Sequence, residues 1–171
     1  DKLAESYFLS FGLPVVTLRP FNTYGPRQSD RAVIPTIAAQ LAVGCEALKL
    51  GSTSPVRDFL YVKDTARAFL HAAVVAGIEG QTIHVGTGVG VTIGETAERL
   101  MKIAGHVVRI ETMQERIRPA GSEVMQLLCD PTMAREKLSF EPKFSLDEGL
   151  AAVYESVCGR LSAYRPGEYQ R

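Results

Sequence analysis

Leu13-Pro14-Val15-Val16-Thr17-Leu18 runs directly into Arg19-Pro20-Phe21-Asn22-Thr23-Tyr24-Gly25-Pro26-Arg27, and this junction decides the fold. The first segment is a continuous apolar and β-branched run of strand length, the pattern of a buried parallel strand. The second carries Pro, Asn, Gly-Pro and two Arg, so polar side chains gather at the carboxyl end of that strand. In an open α/β sheet, ligands bind at that end.

Working outward, residues 1–10 have the spacing of an amphipathic helix, with Leu3, Tyr7 and Phe8 on one side and Gly12 as its stop signal. The first residue is Asp rather than Met, and the segment already reads as helix interior, so the chain is expected to begin within a domain. Downstream, the spacing predicts a helix over 33–43 ended by Gly44, strands over 47–50 and 56–62, and a helix over 63–76 opened by Asp64. A strand over 81–85, a helix over 92–104 and a strand over 107–111 follow. An Arg/Pro/Gly loop over 116–123 and helices over 131–138 and 146–159 close the order. Thr92 and Ser145 are each followed three residues later by Glu (Glu95, Glu148), the spacing of a capping box. The alternation makes the chain α/β.

With 171 residues, 46% hydrophobic and 22% charged, the chain has the composition of a globular protein with an ordinary core. Its net charge of zero argues against broad electrostatic binding to nucleic acid or an acidic membrane. Arg outnumbers Lys by 13 to 6, and Arg19, Arg27, Arg31, Arg57, Arg116 and Arg118 fall beside turns. A guanidinium suits bidentate capture of phosphate or carboxylate, although any one of them can equally be a solvated surface residue. Cys45, Cys129 and Cys158 are widely spaced and odd in number, which fits a reducing, cytoplasmic setting and neither a disulfide framework nor CxxC metal spacing. No signal-peptide pattern is seen, and no apolar run approaches the ~18–20 residues of a membrane span. His71, His84 and His106 form no ligand set at metal-site spacing, so no metal is expected.

Few residues stand out for chemistry on their own. Gly86-Thr87-Gly88-Val89-Gly90 is glycine-rich after a strand but is not GxGxxG, and it reads as a strand-to-helix turn. Asp58 and Asp64 flank a strand and form a possible carboxylate pair. The blander reading is that Asp64 caps the next helix and Asp58 pairs with a neighbouring Arg.

Four segments nevertheless occur in an order and spacing that resemble the extended short-chain dehydrogenase/reductases acting on nucleotide sugars. They are Arg19-Pro20-Phe21-Asn22-Thr23-Tyr24-Gly25-Pro26, Arg57-Asp58-Phe59-Leu60-Tyr61-Val62-Lys63-Asp64, His84-Val85-Gly86-Thr87-Gly88, and Arg118-Pro119. Pro142-Lys143, Ser145-Leu146 and Glu148-Gly149 look like that family's C-terminal signature. The resemblance covers essentially the whole chain and lies nearest the 4,6-dehydratase and epimerase branch.

It implies the C-terminal part of a Rossmann-like parallel sheet plus a small α/β substrate-binding domain. Residues 1–28 would end the Rossmann domain, 29–56 would be a substrate-binding segment, 57–90 would return to the sheet, and 91–171 would form the C-terminal substrate-binding domain. By the same resemblance, Asn22 would donate to the substrate's diphosphate, Arg57 would clamp the same anion, and Arg118 would sit over phosphate or ribose. Pro20 and Phe21 would line the nicotinamide end of NAD. The segments around Val33 and Leu48 would form an apolar slot and a backbone edge for the base, with His84 near the nucleotide. Tyr24 and Tyr61 are expected to be packing residues. Asn22 could instead cap a turn, and Arg57 could pair with Asp58 or Asp64.

The family's Tyr-x-x-x-Lys pair and glycine-rich NAD loop do not occur in these 171 residues, so no catalytic residue is assigned. The expected function is the substrate-binding half of an NAD-dependent lyase or isomerase that removes hydride at sugar C4 to give a 4-keto intermediate. The isolated chain is expected to be inactive and to homodimerise through the first helix. The alternatives are a stand-alone nucleotide-sugar-binding module and a non-catalytic assembly fragment.

Overall fold

The protein is described here by a computed structural model covering residues 1–117 and 119–165. Among them the order is α1 (Lys2–Phe11), β1 (Thr17–Pro20), β2 (Thr23–Tyr24), α2 (Val33–Ala42), β3 (Ala47–Leu50), β4 (Val56–Asp58), β5 (Leu60–Tyr61) and α3 (Val62–Val74). It continues with β6 (Thr82–Val85), β7 (Gly90–Thr92), α4 (Ile93–Ala104), β8 (Arg109–Thr112), β9 (Gln126–Leu127), α5 (Thr132–Leu138) and α6 (Leu146–Cys158).

The pairs β1–β6, β2–β5 and β3–β8 are parallel, and β4 lies antiparallel to β7 and parallel to β9. The α/β class with parallel pairing therefore holds. Two cores form. In the first, α2, α4 and α6 pack on one another and on β3 through residues such as Ile34, Ile37, Leu48, Leu100 and Val153. In the second, Leu60, Ala68, Ile83, Val85, Leu138 and Phe140 are buried between α3, α5 and β6.

Local sequence explains several helix ends. Gly12 closes α1 in the left-handed region at φ 64°, where a Cβ is penalised. Both capping boxes form: Thr92 and Ser145 accept from the N–H of Glu95 and Glu148, whose carboxylates accept in return from the cap residues.

Two expectations need correction. The single strand over 56–62 is two strands, because the chain leaves the β7–β4–β9 sheet after Asp58 and resumes as β5 against β2. β1 is only half-buried and has one neighbour among the described residues, so its apolar run lies along a bare edge. The first helix forms as expected and buries no residue; Leu3, Leu9 and Phe11 are largely exposed.

The open side of β3 is closed in another way. Gln40, buried on α2, donates Nε2 to the Lys49 carbonyl at 3.2 Å and accepts from the Lys49 N–H at 2.8 Å. Its amide thus takes the place of a strand neighbour. No helix among the described residues is long and apolar enough to cross a membrane.

Candidate functional site

The chain leaves β1 through Phe21 and Asn22 and borders a cavity of about 490 Å³, whose wall includes Asn22, Val33, Leu50, Arg57, Phe59 and Arg116. The Asn22 amide is not a local turn cap. Its Nδ2 donates to the main-chain carbonyl of Asp58 at 3.0 Å. A carbonyl can only accept, so this contact fixes which way the amide faces.

Arg57 comes from β4. Its side chain is 13% exposed, and its Nη2 meets a Glu123 oxygen at 2.9 Å. Nη1 donates to the Val124 carbonyl at 2.6 Å and to that of Val56 at 2.9 Å. Its partner is thus Glu123 rather than Asp58 or Asp64. A guanidinium has five donors, so these contacts set its plane without exhausting its capacity.

The remaining expected site residues divide. Val33 stands half-buried on the cavity wall. Leu48 shares a strand face with Leu50, but it is fully buried in the core, and it is Leu50 that reaches the wall. The backbone edge expected there is occupied at Lys49, whose carbonyl also accepts from Arg116 Nη1 at 2.7 Å. Pro20, Phe21 and His84 form a separate group at the carboxyl ends of β1 and β6. The Phe21 and His84 rings stand 5.8 Å apart, and the Phe21 N–H donates to the Val85 carbonyl at 2.8 Å. Arg118 lies outside the described residues. Tyr24 and Tyr61 are buried in the first core, and burial raises the Tyr24 phenol above its usual range.

The two aspartates depart from their sequence reading. Asp58 has no exposed surface and pairs with no arginine among the described residues. It accepts from the Thr87 N–H at 3.0 Å, the Thr87 hydroxyl at 2.7 Å, the Gly88 N–H at 2.9 Å and the Cys129 N–H at 3.3 Å. Amides of the glycine-rich turn are therefore spent on a carboxylate of this same chain, and the turn leads from β6 into β7. Asp64, also fully buried, makes no helix cap. It pairs with Arg67 and accepts from the N–H groups of Lys143 and Phe144, tying the start of α3 to the segment before α6. The signal was an Asp inside an apolar strand, which is stable only with a full set of donors. Those donors lie 29 to 71 positions away. Among the described residues, no group of three His, Cys, Asp or Glu side chains could hold a metal ion.

Comparison with known proteins adds four findings. The family model described as GDP-mannose 4,6 dehydratase matches residues 1–153. The low-salt glycan biosynthesis protein Agl12 of Haloferax volcanii is 31% identical over 160 residues, covering 93% of this chain and 50% of that protein. Among solved structures, RMD from Pseudomonas aeruginosa complexed with NADPH matches with a TM-score of 0.85 at 27% identity, over 93% of this chain and 53% of the other. UDP-glucose 4-epimerase from Thermotoga maritima, solved with UDP-glucose, matches with a TM-score of 0.81 at 31% identity, over 94% and 51%. The chain spans about half the length of the relatives it matches.

Proposed function

The chain belongs to the nucleotide-sugar dehydratase and epimerase family of the extended short-chain dehydrogenase/reductases, and from that premise we propose that it is the substrate-binding half of an NAD-dependent nucleotide-sugar 4,6-dehydratase or epimerase. The observation that carries this reading is the cavity wall on which Asn22 and Arg57 stand together. Arg57 offers a charge-assisted contact to a diphosphate, and Asn22 brings an oriented N–H to the same anion. Val33, Leu50, Phe59 and Ile93 add apolar wall, suited to the flat face of a base or a sugar. Arg118 over phosphate or ribose and His84 near the nucleotide complete the proposed contacts, with Leu48 buried behind the slot and touching no ligand.

In this reading residues 1–28 and 57–90 belong to the Rossmann part, and 29–56 and 91–171 to substrate binding; the cores follow this division only in part, since Leu138 and Phe140 pack in the second core and Tyr24 and Tyr61 in the first. The pyridine nucleotide supplies the hydride acceptor when bound. Pro20 and Phe21 suit its nicotinamide end, being an apolar pair at the carboxyl end of a parallel strand. A Tyr-x-x-x-Lys pair is absent from these 171 residues, so the chain alone positions substrate and transfers no hydride. The exposed apolar residues of α1 support homodimerisation through that helix.

The test is calorimetric titration of the 171-residue chain with UDP, GDP and dTDP and with their hexose derivatives. One nucleotide series is expected to bind, and Arg57→Gln is expected to weaken it about tenfold or more, the loss of a charge-assisted contact. Absence of binding across the panel would sink the reading. Turnover of a nucleotide sugar with NAD by this chain alone would overturn its assignment as half an enzyme.

A further inference from the structure

Side chains alternate along β4 and its continuation, so Arg57 and Phe59 face the cavity while Asp58 faces away from it. The Asp58 carboxylate has no accessible surface, and burying such a charge is costly unless its lone pairs are filled. Here they are filled by two other segments: the 86–88 turn, through the Thr87 N–H, the Thr87 hydroxyl and the Gly88 N–H, and the Cys129 N–H beyond β9. The fit is close. A Cβ on Gly86 would stand 2.7 Å from Asp58 Oδ2 and 2.4 Å from the Cys129 Cβ.

These contacts close a ring. Cys129 leads back through β9 to Val124 and Glu123, and those two residues hold the Arg57 guanidinium. β9 itself pairs with β4 alongside Arg57. On the other side, the main-chain carbonyl of Asp58 fixes the Asn22 amide. One buried carboxylate therefore anchors, from behind, the strand residue that orients Asn22 and the segment that orients Arg57.

We propose that Asp58 is the positioning residue of the anion grip, setting the separation and orientation of Asn22 and Arg57 without touching the ligand. This rests on the reading above that those two side chains hold a diphosphate.

The experiment compares the full chain with Asp58→Asn, Thr87→Val and Thr87→Ser. Thr87→Val keeps the side-chain shape and removes the 2.7 Å hydroxyl bond to Asp58; Thr87→Ser keeps that bond. It also serves if Asp58→Asn fails to fold. Three quantities are measured: affinity for UDP, GDP and dTDP, the melting temperature, and the NMR signals of the Asn22 side-chain amide and the Arg57 Nε–H.

We expect Thr87→Val to weaken nucleoside diphosphate binding about tenfold while melting within a few degrees of the parent, with Thr87→Ser restoring affinity. The Asn22 and Arg57 signals should shift in Thr87→Val and stay put in Thr87→Ser. Parent-like affinity together with unmoved Asn22 and Arg57 signals in Thr87→Val would reduce Asp58 to a purely structural anchor and overturn the proposal. If the parent itself binds none of the three nucleotides, the diphosphate reading falls, and the NMR signals still decide whether Asp58 governs Asn22 and Arg57.

Discussion

Cys129 lies against the Asp58 carboxylate, and burial, reinforced by that negative charge, pushes its thiol up to about 12. Thiolate is the reactive form of cysteine, so this residue is protected twice, by access and by protonation. Cys158 is exposed. At pH 8, a maleimide reagent is expected to label Cys158 of the native protein promptly and Cys129 only after unfolding; prompt native labelling of Cys129 would contradict the packing around Asp58. The same pair of residues marks the limit of what single positions reveal. Asn22 and Arg57 were legible because each sits in a recognisable run next to a strand. Asp58 was visible as a charge in an apolar segment, but its partners come from loops far along the chain, and no local pattern records a long-range donor. Leu48 shows the converse: the resemblance put its segment at the slot, but depth below the cavity depends on what packs above it.

At the scale of elements, helices with strong start and stop chemistry were read within a residue or two, whereas the shortest strands were not. β2 and β9 have two residues each and β7 has three, too few for any period to register. The break between β4 and β5 was hidden for a related reason: a continuous alternation says which side chains share a face, not that the backbone changes sheets midway. The caps themselves can be tested. Hydrogen bonds from the Ser145 side chain and backbone pull the Glu148 carboxyl below its ordinary 4.5. Those from the Thr92 backbone and side chain do the same for Glu95. Each folded value is depressed, so the associated stability is complete above 4.5 and is lost as pH falls through the lower folded value. Ser145→Ala removes the N-cap hydroxyl and is expected to cost about 1 kcal/mol at neutral pH, the usual cost of losing a cap. The gap between variant and parent in chemical denaturation should narrow in the acid range; a gap that stays constant through acid would mean the cap is not ionic.

For the molecule as a whole, the α/β class and the chain's kinship were legible because motifs and order survive in half a relative's length. That β1 has one neighbour among the described residues, and that α1 buries nothing, follows only from the folded arrangement. With no buried residue, α1 draws little stability from tertiary packing, and a ten-residue helix is marginal by itself. In dilute, monomeric protein, hydrogen exchange is expected to show α1 amides exchanging far faster than those of α2, α4 and α6, which share the first core, and slowing as the proposed pairing through α1 forms. Comparable protection in α1 and α2 would show that something covers α1 in solution. The Gln40 amide carries a different lesson. Because it grips both polar groups of the Lys49 peptide, α2 and β3 are keyed to one another like a shaft and its slot. One residue inserted into the helix ahead of Gln40 would swing the amide by about 100° off the strand, whereas the turn around Gly44 can absorb extra length. Evolution and engineering alike are free to lengthen that link, but the angular phase of the helix is not theirs to change.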